Sequence, residues 1–360
     1  MKKILLISNR VMHYRVSVYN YFVERFRNQD YTFMVRANEL QKESPYPIRF
    51  DFKELPFSFS VYRDEIKKIG PDTVILFLHL KNLLIFPLIY WLKWKRIPVI
   101  FWTKGANLDD PHNRLRNMLF HHLHNLSDGI ILYSKNERSF VKNKNHKKIT
   151  YANNTINYYD YANITETKEE IKKQLNIRFR KVALFVGRMD AAERGRKKVA
   201  HAIEIFKTID SPDYGLILVG SGLGEELRRS MNQKNTIYLG EVHDPKNIQI
   251  SRIFTMADVF LMPGHVGLSL NQAFYWSLPV LTEEGEQPPE IHYLVNGQNG
   301  YIVKEDDVVS LKEKLLYLFE NEQECKRLGE NAKYDLLENA SIEGMFQGFL
   351  DNIKKLTIVP

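Results

Sequence analysis

Positively charged side chains cluster in one short segment of the sequence. Arg188 and the run Arg194–Lys198 place five cations within eleven residues. A predicted strand, Val182–Val186, precedes this segment, and a predicted helix, Val199–Thr208, follows it. Cations at the carboxyl end of a strand, beside the N-terminus of a helix, suit a phosphate or diphosphate group. A solvated basic loop without a ligand is the alternative interpretation.

Glycine-bearing turns follow two further predicted strands in the same half of the chain. Gly220–Gly224 follows Gly215–Val219, and Pro263–Ser269 follows Val259–Met262 and leads into a predicted helix, Leu270–Trp276. Glycine permits a positive φ and a close approach of the backbone to a ligand, and a helix N-terminus directs N–H groups at an anion. The second turn therefore predicts another phosphate-binding element, in which His265 is a candidate contact.

An acidic segment follows the predicted strand Pro279–Thr282. It runs from Glu283 to Glu290 and contains two prolines, and no second acidic motif elsewhere accompanies it. Because Mg²⁺ requires several well-placed oxygen ligands, we expect a solvated acidic loop and no metal site. Glu290 lies at a predicted helix start, where it is a candidate N-terminal charge or ligand contact.

Short apolar runs alternate with amphipathic stretches along the whole chain. This alternation predicts α/β units with parallel sheets, and therefore two doubly wound, Rossmann-like domains facing each other across a cleft, with ligands at the carboxyl ends of the strands. Besides the strands named above, the predicted strands are Lys3–Ser8, Thr32–Val35, Thr73–Leu78, Pro98–Trp102, Gly129–Tyr133, Ile149–Tyr151, Thr236–Tyr238 and Gly300–Val303.

The domain boundary is expected in the polar, tyrosine-rich stretch Asn153–Lys168, which lacks clear periodicity. We predict a first domain over residues 1–155 and a second over 156–340. A final helix, about Ser341–Leu356 within residues 341–360, could stay with the second domain or pack back on the first. The chain length of 360 residues agrees with two domains.

Composition excludes several protein classes. Hydrophobic residues make up 44% of the chain, which excludes a disordered or fibrous protein, and the single cysteine, Cys325, excludes a disulfide scaffold. The start, MKKILLISN, has too short an apolar run for a signal peptide, so we expect a cytoplasmic protein.

The charge of the chain is uneven. Residues 1–150 carry 26 lysines and arginines against 13 acidic residues, whereas residues 151–360 carry 25 against 30. The basic half favours an anionic partner, although solubility alone would also explain the charge.

An ordered set of motifs over residues 149–304 resembles the nucleotide-sugar-binding domain of retaining glycosyltransferases of family 4, the group 1 glycosyltransferases. That family has the two-domain GT-B fold. The resemblance is carried, in order, by Asn154–Asn157, Val186–Arg188, Leu218–Gly222, Ala257–Pro263, Gly267–Phe274, Pro279-Val280, Pro289–Ile291 and Asn296–Gly300. The first half of the chain matches only in the layout of its elements.

The resemblance implies a transferase that moves a sugar from a UDP- or GDP-sugar to a glycan or lipid-linked acceptor, without a metal or other cofactor. Arg188 and Lys197 would act on the donor diphosphate, with Lys198 as the alternative register for the family's lysine. The pathway implied by analogy is surface polysaccharide or glycolipid synthesis. The donor-binding residues implied are Gly187, Arg188, Lys197, Lys198, Gly220, Gly222, His265, Val266, Gly267, Leu268, Ser269, Gln272 and Glu290.

Three positions depart from the family pattern. Gly264 and Gln272 stand where the family has two glutamates eight residues apart, and Lys104 stands where it often has a histidine. Gln272 can still bond ribose hydroxyls, but without charge assistance. Gly264 removes a carboxylate from the donor-sugar side. Lys104 could bind the donor as a cation, whereas a role as base would need a pKa lowered by burial.

The first half holds the remaining candidates. Asn9–Arg15 follows the first strand. Within this segment Arg10, His13 and Arg15 could bind donor phosphate or acceptor, and His13 is the acid/base candidate.

Leu83–Leu92 is nearly all apolar, and Trp94 follows it among lysines and an arginine. It is too short to span a bilayer, but aromatic residues beside cations suit contact with an anionic membrane. A buried helix is the alternative for its apolar part. The chain would then act at the inner face of the plasma membrane.

Two other functions remain open from the sequence. One is a nucleotide-sugar epimerase of the same fold, and the other is a non-catalytic nucleotide-sugar-binding protein, which Gly264 and Gln272 would favour. A nucleic-acid partner is not expected, because the cations lie at strand ends and no base-stacking platform is recognisable.

Overall fold

The computed structural model describes residues 1–41, 46–80, 82–106, 113–189, 195–242, 244 and 246–358. The chain divides into two compact units. Unit 1 comprises Met1–Asn157 together with Ser341–Pro360, and unit 2 comprises Tyr158–Ala340. The division therefore falls inside the polar, tyrosine-rich stretch in which a domain boundary is expected.

Unit 1 is built on a parallel sheet of seven strands in the order β3-β2-β1-β4-β5-β6-β7. Its strands are β1 (Lys2–Val11), β2 (Tyr31–Leu40), β3 (Asp51–Glu54), β4 (Thr73–Phe77), β5 (Val99–Thr103), β6 (Gly129–Leu132) and β7 (Ile149–Tyr151). Its helices are α1 (His13–Arg27), α2 (Phe59–Ile69), α3 (Ile85–Trp94), α4 (Arg114–Leu126) and α12 (Ile342–Ile358).

Apolar side chains cover both faces of this sheet. In β1, Ile4 and Leu6 belong to a hydrophobic cluster shared with α1 and α12, whereas Leu5 and Ile7 belong to a second cluster shared with α2 and α3. Successive side chains of a strand point to opposite faces, so a strand covered on both sides needs an unbroken apolar run. This requirement explains why ILLI could be recognised as a strand from the sequence.

The C-terminal helix α12 packs on unit 1. The side-chain amide of Asn352 donates to the carbonyl oxygen of Ile130 and to Oγ1 of Thr150, each at 3.0 Å. The hydroxyl of Thr150 donates to the carbonyl oxygen of Gly348 at 2.7 Å. A Cβ at Gly348 would lie 2.0 Å from the carbonyl oxygen of Tyr151, so only glycine allows this close approach. These contacts join residues about two hundred positions apart in the chain.

Unit 2 is built on a parallel sheet of six strands in the order β10-β9-β8-β11-β12-β13. Its strands are β8 (Lys181–Val186), β9 (Tyr214–Val219), β10 (Thr236–Gly240), β11 (Val259–Leu261), β12 (Val280–Glu283) and β13 (Gly300–Val303). Its helices are α5 (Lys168–Gln174), α6 (Val199–Lys207), α7 (Glu225–Ser230), α8 (Ile248–Met256), α9 (Leu268–Tyr275), α10 (Val308–Glu320) and α11 (Glu322–Asn339).

The predicted fold class is confirmed, since both units are α/β with parallel sheets. Each predicted strand is present, and the sequence analysis missed only β3 among the strands that the structure describes. This strand lies at the sheet edge and reads Asp-Phe-Lys-Glu, with three exposed side chains and one half-buried one. Phe52 is its one apolar residue and packs against the core, and a single apolar position gives no alternating pattern by which the strand could be recognised.

The apolar segment 83–92 forms most of α3. Ile85, Leu88, Ile89 and Leu92 are buried against the sheet, as the buried-helix alternative predicts for this part. Leu83, by contrast, is exposed. Among the helices of the described residues, none has the length and apolar character needed to cross a membrane.

Candidate active site

Two loops at the carboxyl edge of the second sheet are joined backbone to backbone. The loop after β8 bonds the loop after β9, with the N–H of Gly187 donating to Val219 at 2.9 Å and that of Met189 donating to Ser221 at 2.7 Å. A Cβ at Gly220 would lie 2.0 Å from the carbonyl oxygen of Gly187. The close approach that requires this glycine is therefore to the neighbouring loop of the protein itself.

Gly222, two residues after Gly220, likewise allows a close approach to the loop after β8. It has a φ of +83°, and a Cβ there would lie 2.3 Å from the carbonyl oxygen of Met189. Both predicted glycines thus hold the loop that carries Arg188 in its position. Arg188 is exposed and forms no ion pair with another residue in the described part of the chain. Arg194, predicted as one of the five clustered cations, lies outside the described residues.

Lys197 connects the ends of β8 and β11. Its aliphatic stem lies over Gly187, where a Cβ would come within 2.7 Å of the Lys197 Cε. Its ammonium group donates to the carbonyl oxygen of His265 at 3.1 Å. A positive charge therefore lies between the two loops that the sequence identifies as anion-binding, and glycine at position 187 leaves the room for it.

Gly264 allows the lysine loop to lie directly against the end of β11. Its N–H donates to the carbonyl oxygen of Lys197 at 3.1 Å, and the N–H of His265 donates to that of Arg196 at 2.7 Å. A Cβ at Gly264 would lie 2.1 Å from the Arg196 carbonyl oxygen and 2.9 Å from the Lys197 Cα. Position 264 therefore has no space for any side chain, including a glutamate.

The turn after β11 ends at the N-terminus of α9. Gly267 precedes the helix with a φ of +57°, and no side chain caps the helix there. The hydroxyl of Ser269 donates a hydrogen bond back to the carbonyl oxygen of Val266. Leu268 opens the first turn, in which the N–H of Leu270 donates to the carbonyl oxygen of Gly267 at 3.2 Å. The N–H groups at the N-terminus of a helix carry partial positive charge. An anion at this end of α9 would gain those N–H groups as donors.

Gln287 holds this turn in place and was missed by the sequence analysis. Its carbonyl oxygen accepts from the N–H of Val266 at 3.1 Å. Its amide nitrogen donates to the carbonyl oxygens of Gly264 at 3.2 Å and Glu283 at 2.9 Å. One side chain thus links the end of β12 to the turn before α9. The only available signal was an amide side chain within an otherwise acidic segment.

Gln272, on α9, is bonded by a tyrosine from the start of unit 2. Its amide nitrogen donates to the Tyr161 hydroxyl at 2.9 Å, an orientation that leaves the side-chain carbonyl oxygen as the acceptor. Tyr275 packs between this tyrosine and Tyr158, stacking on Tyr158 with ring centroids 4.9 Å apart. The sequence analysis treated this tyrosine-rich stretch only as a boundary. Its aromatic content was the signal that it packs against a structured element.

Lys198 contacts a different set of residues from Lys197. It lies at the N-terminus of α6 with a φ of 48°. Its ammonium group donates to Glu283 at 3.0 Å, Glu305 at 3.2 Å and Asp306 at 2.7 Å. Burial opposes its charge, but these hydrogen bonds outweigh burial and raise the pKa of Lys198 above its ordinary value. Lys198 is therefore held by carboxylates, whereas Lys197 bonds the carbonyl oxygen of His265.

Glu283 corrects the expectation of a solvated acidic loop at its first residue. It is fully buried and accepts from His201 at 2.6 Å and from the N–H of Asp306 at 2.9 Å, besides Lys198. Although burial acts against ionisation, these hydrogen bonds keep the pKa of Glu283 below its ordinary value. The hydrogen bond to Glu283 likewise raises the pKa of His201. A buried carboxylate needs such partners, and they come from parts of the chain far apart in sequence.

His201, Glu283 and Asp306 are also the group of described residues that could hold a metal ion. The Lys198 ammonium group bonds both carboxylates and already supplies the positive charge there. The cluster of His201, Glu283 and Asp306 therefore fits a structural ion-pair network better than a metal centre.

Glu290 lies elsewhere in this unit, buried in the short 3₁₀ helix Pro289–Tyr293.

The candidates of unit 1 lie at the ends of β1 and β5. His13 begins α1, and its Nδ1 lies 3.2 Å from the Gln41 side-chain oxygen. Lys104 is exposed, with its ammonium group 5.9 Å from the centre of the Tyr133 ring. Both face the carboxyl edge of the first sheet, as the sequence predicts for residues that directly follow strands.

The two arginines near His13 have structural partners. Arg10 forms an exposed ion pair with Glu39 at 2.6 Å. Arg15 is buried, donates to Asn154 at 2.6 Å and stacks its guanidinium over Trp102 at 4.8 Å. Burial removes Arg15 from the set of side chains available to a ligand. It fixes the end of β1 to the segment just before the unit boundary.

Several known proteins resemble this chain in sequence. Residues 167–335 match the family model of the glycosyl transferases group 1. Spore coat protein SA of Bacillus subtilis is 23% identical over 201 residues, a match that spans about half of each chain, 52% of both. An uncharacterized glycosyltransferase of Methanocaldococcus jannaschii is 23% identical over 324 residues, covering 84% of this chain and 79% of that protein.

Solved structures show the same fold. The crystal structure of Anabaena Alr3699/HepE in complex with UDP has a TM-score of 0.78 and 12% identity, and the match covers 99% of this chain and 100% of that one. The same Anabaena protein has also been solved with UDP and glucose and with UDP-glucose. At this level of identity the likeness supports the fold and, by itself, no activity.

Proposed function

We propose that this chain, which matches the model of the group 1 glycosyl transferases over residues 167–335, transfers a sugar from a UDP- or GDP-sugar to a glycan or lipid-linked acceptor. The observation that carries the proposal is the position of Lys197. Its stem covers Gly187 and its ammonium group bonds the turn that leads into the uncapped N-terminus of α9. This arrangement suits an anion more than any other ligand class.

The reaction needs stabilisation of a departing diphosphate, because negative charge builds up on that group as the sugar leaves. Arg188 and Lys197 would supply positive charge, and the N–H groups of Gly267 and Leu268 would donate hydrogen bonds. Preorganised donors of this kind are usually the largest contribution to such catalysis. With this charge provided by the chain itself, the proposed transfer uses no metal. The complexes of the Anabaena protein with UDP and UDP-glucose support a diphosphate donor.

The proposed stereochemical course is retention. A route through a covalent sugar intermediate requires a carboxylate close to the sugar carbon. Position 264 has no room for one, and Glu283 is already bonded by Lys198 and His201. We therefore favour attack from the face that the leaving group vacates. The acceptor hydroxyl forms the new bond to the sugar carbon, the bond to the diphosphate breaks, and the diphosphate takes the hydroxyl proton.

Gln272 is the proposed ribose contact. The amide nitrogen of Gln272 donates to the Tyr161 hydroxyl, which fixes the orientation of the side chain. The Gln272 carbonyl oxygen can then accept a hydrogen bond from a ribose hydroxyl. His13 and Lys104 remain candidates of unit 1 for proton transfer and for donor or acceptor contact. The acceptor class, surface polysaccharide or glycolipid synthesis, and a cytoplasmic site at the inner face of the plasma membrane rest on the family analogy and on the basic charge of the first half.

The first experiment measures the melting temperature of the protein with UDP, GDP, ADP and CMP, before and after addition of Mg²⁺. A ligand at a hundred times its dissociation constant stabilises a protein by about 2.7 kcal/mol, which is readily measured. We expect UDP or GDP to raise the melting temperature without metal. If none of these nucleotides does so, Arg188, Lys197 and the turn before α9 do not form a nucleotide site.

A second experiment separates transfer from the two alternatives. The loss of the UDP- or GDP-sugar identified by the first experiment is followed by chromatography, with and without a panel of glycan and lipid-linked acceptors. Transfer requires the acceptor and yields a larger glycan. Release of nucleotide with an altered free sugar and no acceptor would indicate an epimerase. Binding without turnover on any acceptor would support the non-catalytic alternative that Gly264 and Gln272 favour.

A further inference from the structure

Two neighbouring helices of unit 1, α3 and α4, expose large apolar side chains to solvent. The exposed fractions are 71% for Leu83, 50% for Tyr90, 72% for Trp94, 65% for Leu115 and 58% for Met118. Leu83, just before α3, and Pro87, Tyr90 and Trp94 within it recur at intervals of three or four residues and are all exposed, so they form one stripe. We call Leu83 and the exposed side chains of α3 and α4 the α3–α4 face.

The α3–α4 face is one continuous surface, because the two helices are packed side by side. The Tyr90 hydroxyl lies 2.6 Å from Nε2 of His122, and the Phe86 and His122 rings stack at 6.4 Å. The opposite side of α3 is buried in the core below it. The apolar side chains needed for folding are thus distinct from those that remain exposed. Formation of the core therefore does not account for the apolar side chains of the α3–α4 face.

Exposed cations neighbour these apolar side chains along the chain. Lys93, Lys95, Arg96, Arg114 and Arg116 are all exposed. Lys95 holds its ammonium group 4.0 Å from the centre of the Trp94 ring. Within 82–106 and 113–127 the chain has no acidic residue. Asp109 and Asp110 lie between these ranges, outside the described residues, and Asp128, which follows the second range, is paired with Lys93. The α3–α4 face therefore carries net positive charge together with an aromatic and aliphatic surface.

We infer that the α3–α4 face is the surface by which this protein binds an anionic lipid bilayer. Tryptophan and tyrosine are suited to the boundary between headgroups and acyl chains, and basic side chains are attracted to anionic headgroups. Neither helix could span the bilayer, so the contact is peripheral. The inference assigns residues to the membrane contact in the proposed function, but it does not depend on transferase chemistry.

The test measures binding of the full chain to vesicles by sedimentation. One set of vesicles is phosphatidylcholine alone, and the other contains about one third phosphatidylglycerol. We expect binding to the anionic vesicles, weakened by salt. Lys95→Glu and Arg116→Glu should each weaken it by more than about fivefold, because loss of one surface cation accounts for about fivefold and the new negative charge adds repulsion. Trp94→Ala combined with Leu83→Ala should weaken it roughly tenfold.

Matched controls come from unit 2. Tyr334 is 66% exposed on α11, and Lys173 is exposed on α5. Tyr334→Ala and Lys173→Glu remove the same kinds of side chain elsewhere and should leave binding unchanged. Equal loss in these controls, or no binding to anionic vesicles by the wild-type protein, would overturn the inference.

Fluorescence provides an independent reading of insertion. Tryptophan emission should shift to shorter wavelength when vesicles are added. Trp94→Phe should abolish most of this shift while the protein still sediments with vesicles, because phenylalanine retains the apolar contact. If size measurements show instead that the Trp94 and Leu83 variants dissolve a dimer, the face binds a second copy and the lipid assignment is wrong. The vesicles contain no donor or acceptor, so failure here leaves the nucleotide-binding experiment unaffected.

Discussion

The backbone N–H of Gly264 donates a hydrogen bond to the carbonyl oxygen of Lys197 at 3.1 Å, so the loop that carries the proposed cation rests directly on the end of β11. Compared with the family pattern, Gly264 is a missing carboxylate. In the structure it is also a position where backbone meets backbone. The absence of a side chain there determines where Lys197 lies.

Replacing Gly264 should therefore disturb the site through the backbone. Gly264→Ala places a Cβ at 2.1 Å from the Arg196 carbonyl oxygen, and the loop must move. We expect a loss of about 1–3 kcal/mol in the free energy of unfolding, together with weaker binding of UDP or GDP. Gly344→Ala is the control, because its Cβ would meet only the Ser341 hydroxyl, at 3.1 Å. Full stability and full nucleotide binding in Gly264→Ala would refute the proposed role.

The adjacent lysines should give opposite results. Lys197→Ala should lower turnover by roughly 10²–10³-fold, since it removes one charged donor from the departing diphosphate, and should change stability little. Lys198→Gly should lower the free energy of unfolding by about 1–3 kcal/mol, because buried Glu283 loses a partner. Glycine is used there because it accepts the positive φ without strain. Initial rates and denaturant unfolding measure the two effects, and a catalytic loss confined to Lys198→Gly would reverse the assignment.

Tyr161 and Gln272 should affect ribose recognition together. In the wild-type protein, UDP should stabilise more strongly than a dideoxy analogue that lacks both ribose hydroxyls. Gln272→Ala should abolish that difference, and Tyr161→Phe should reduce it by freeing the amide to rotate. Melting temperatures with both nucleotides measure the difference. A preference that persists in Gln272→Ala would place the ribose elsewhere.

His124 should make unit 1 sensitive to acid. This histidine is fully buried in α4, and burial lowers its pKa to about 3. In the unfolded chain this histidine binds a proton near pH 6.5, whereas in the folded chain it does so only near pH 3. The free energy of unfolding is therefore highest above pH 6.5 and decreases as the pH falls from there toward 3. The loss between pH 7 and pH 5 should be about 2 kcal/mol.

Denaturant unfolding at several pH values tests this expectation. His124→Leu should flatten the pH dependence between pH 7 and pH 5, because leucine fills the apolar site without titrating. The control is His292→Gln, which replaces an exposed histidine of unit 2 and should leave the profile as in the wild-type protein. An unchanged profile in His124→Leu would assign the acid sensitivity to other groups.

The parallel-sheet class and almost all strands were predictable from the sequence, because buried strands require unbroken apolar runs that are local in the chain. The same holds for the residues after strands, such as Arg188, Lys197 and Gly267, since the carboxyl edge of a parallel sheet follows from strand order alone. The edge strand β3 escaped prediction because it is four residues long and has a single apolar residue, Phe52.

The tertiary structure decided which of these residues contact one another. Only the tertiary structure shows that Lys198 bonds buried Glu283 while Lys197 bonds His265. Adjacent residues of a loop have different partners according to the path of the loop, which the sequence does not specify. The tertiary structure alone also shows Tyr161 bonding Gln272, a contact that joins positions more than one hundred residues apart. Such contacts depend on how distant segments pack, which no local pattern of residues records.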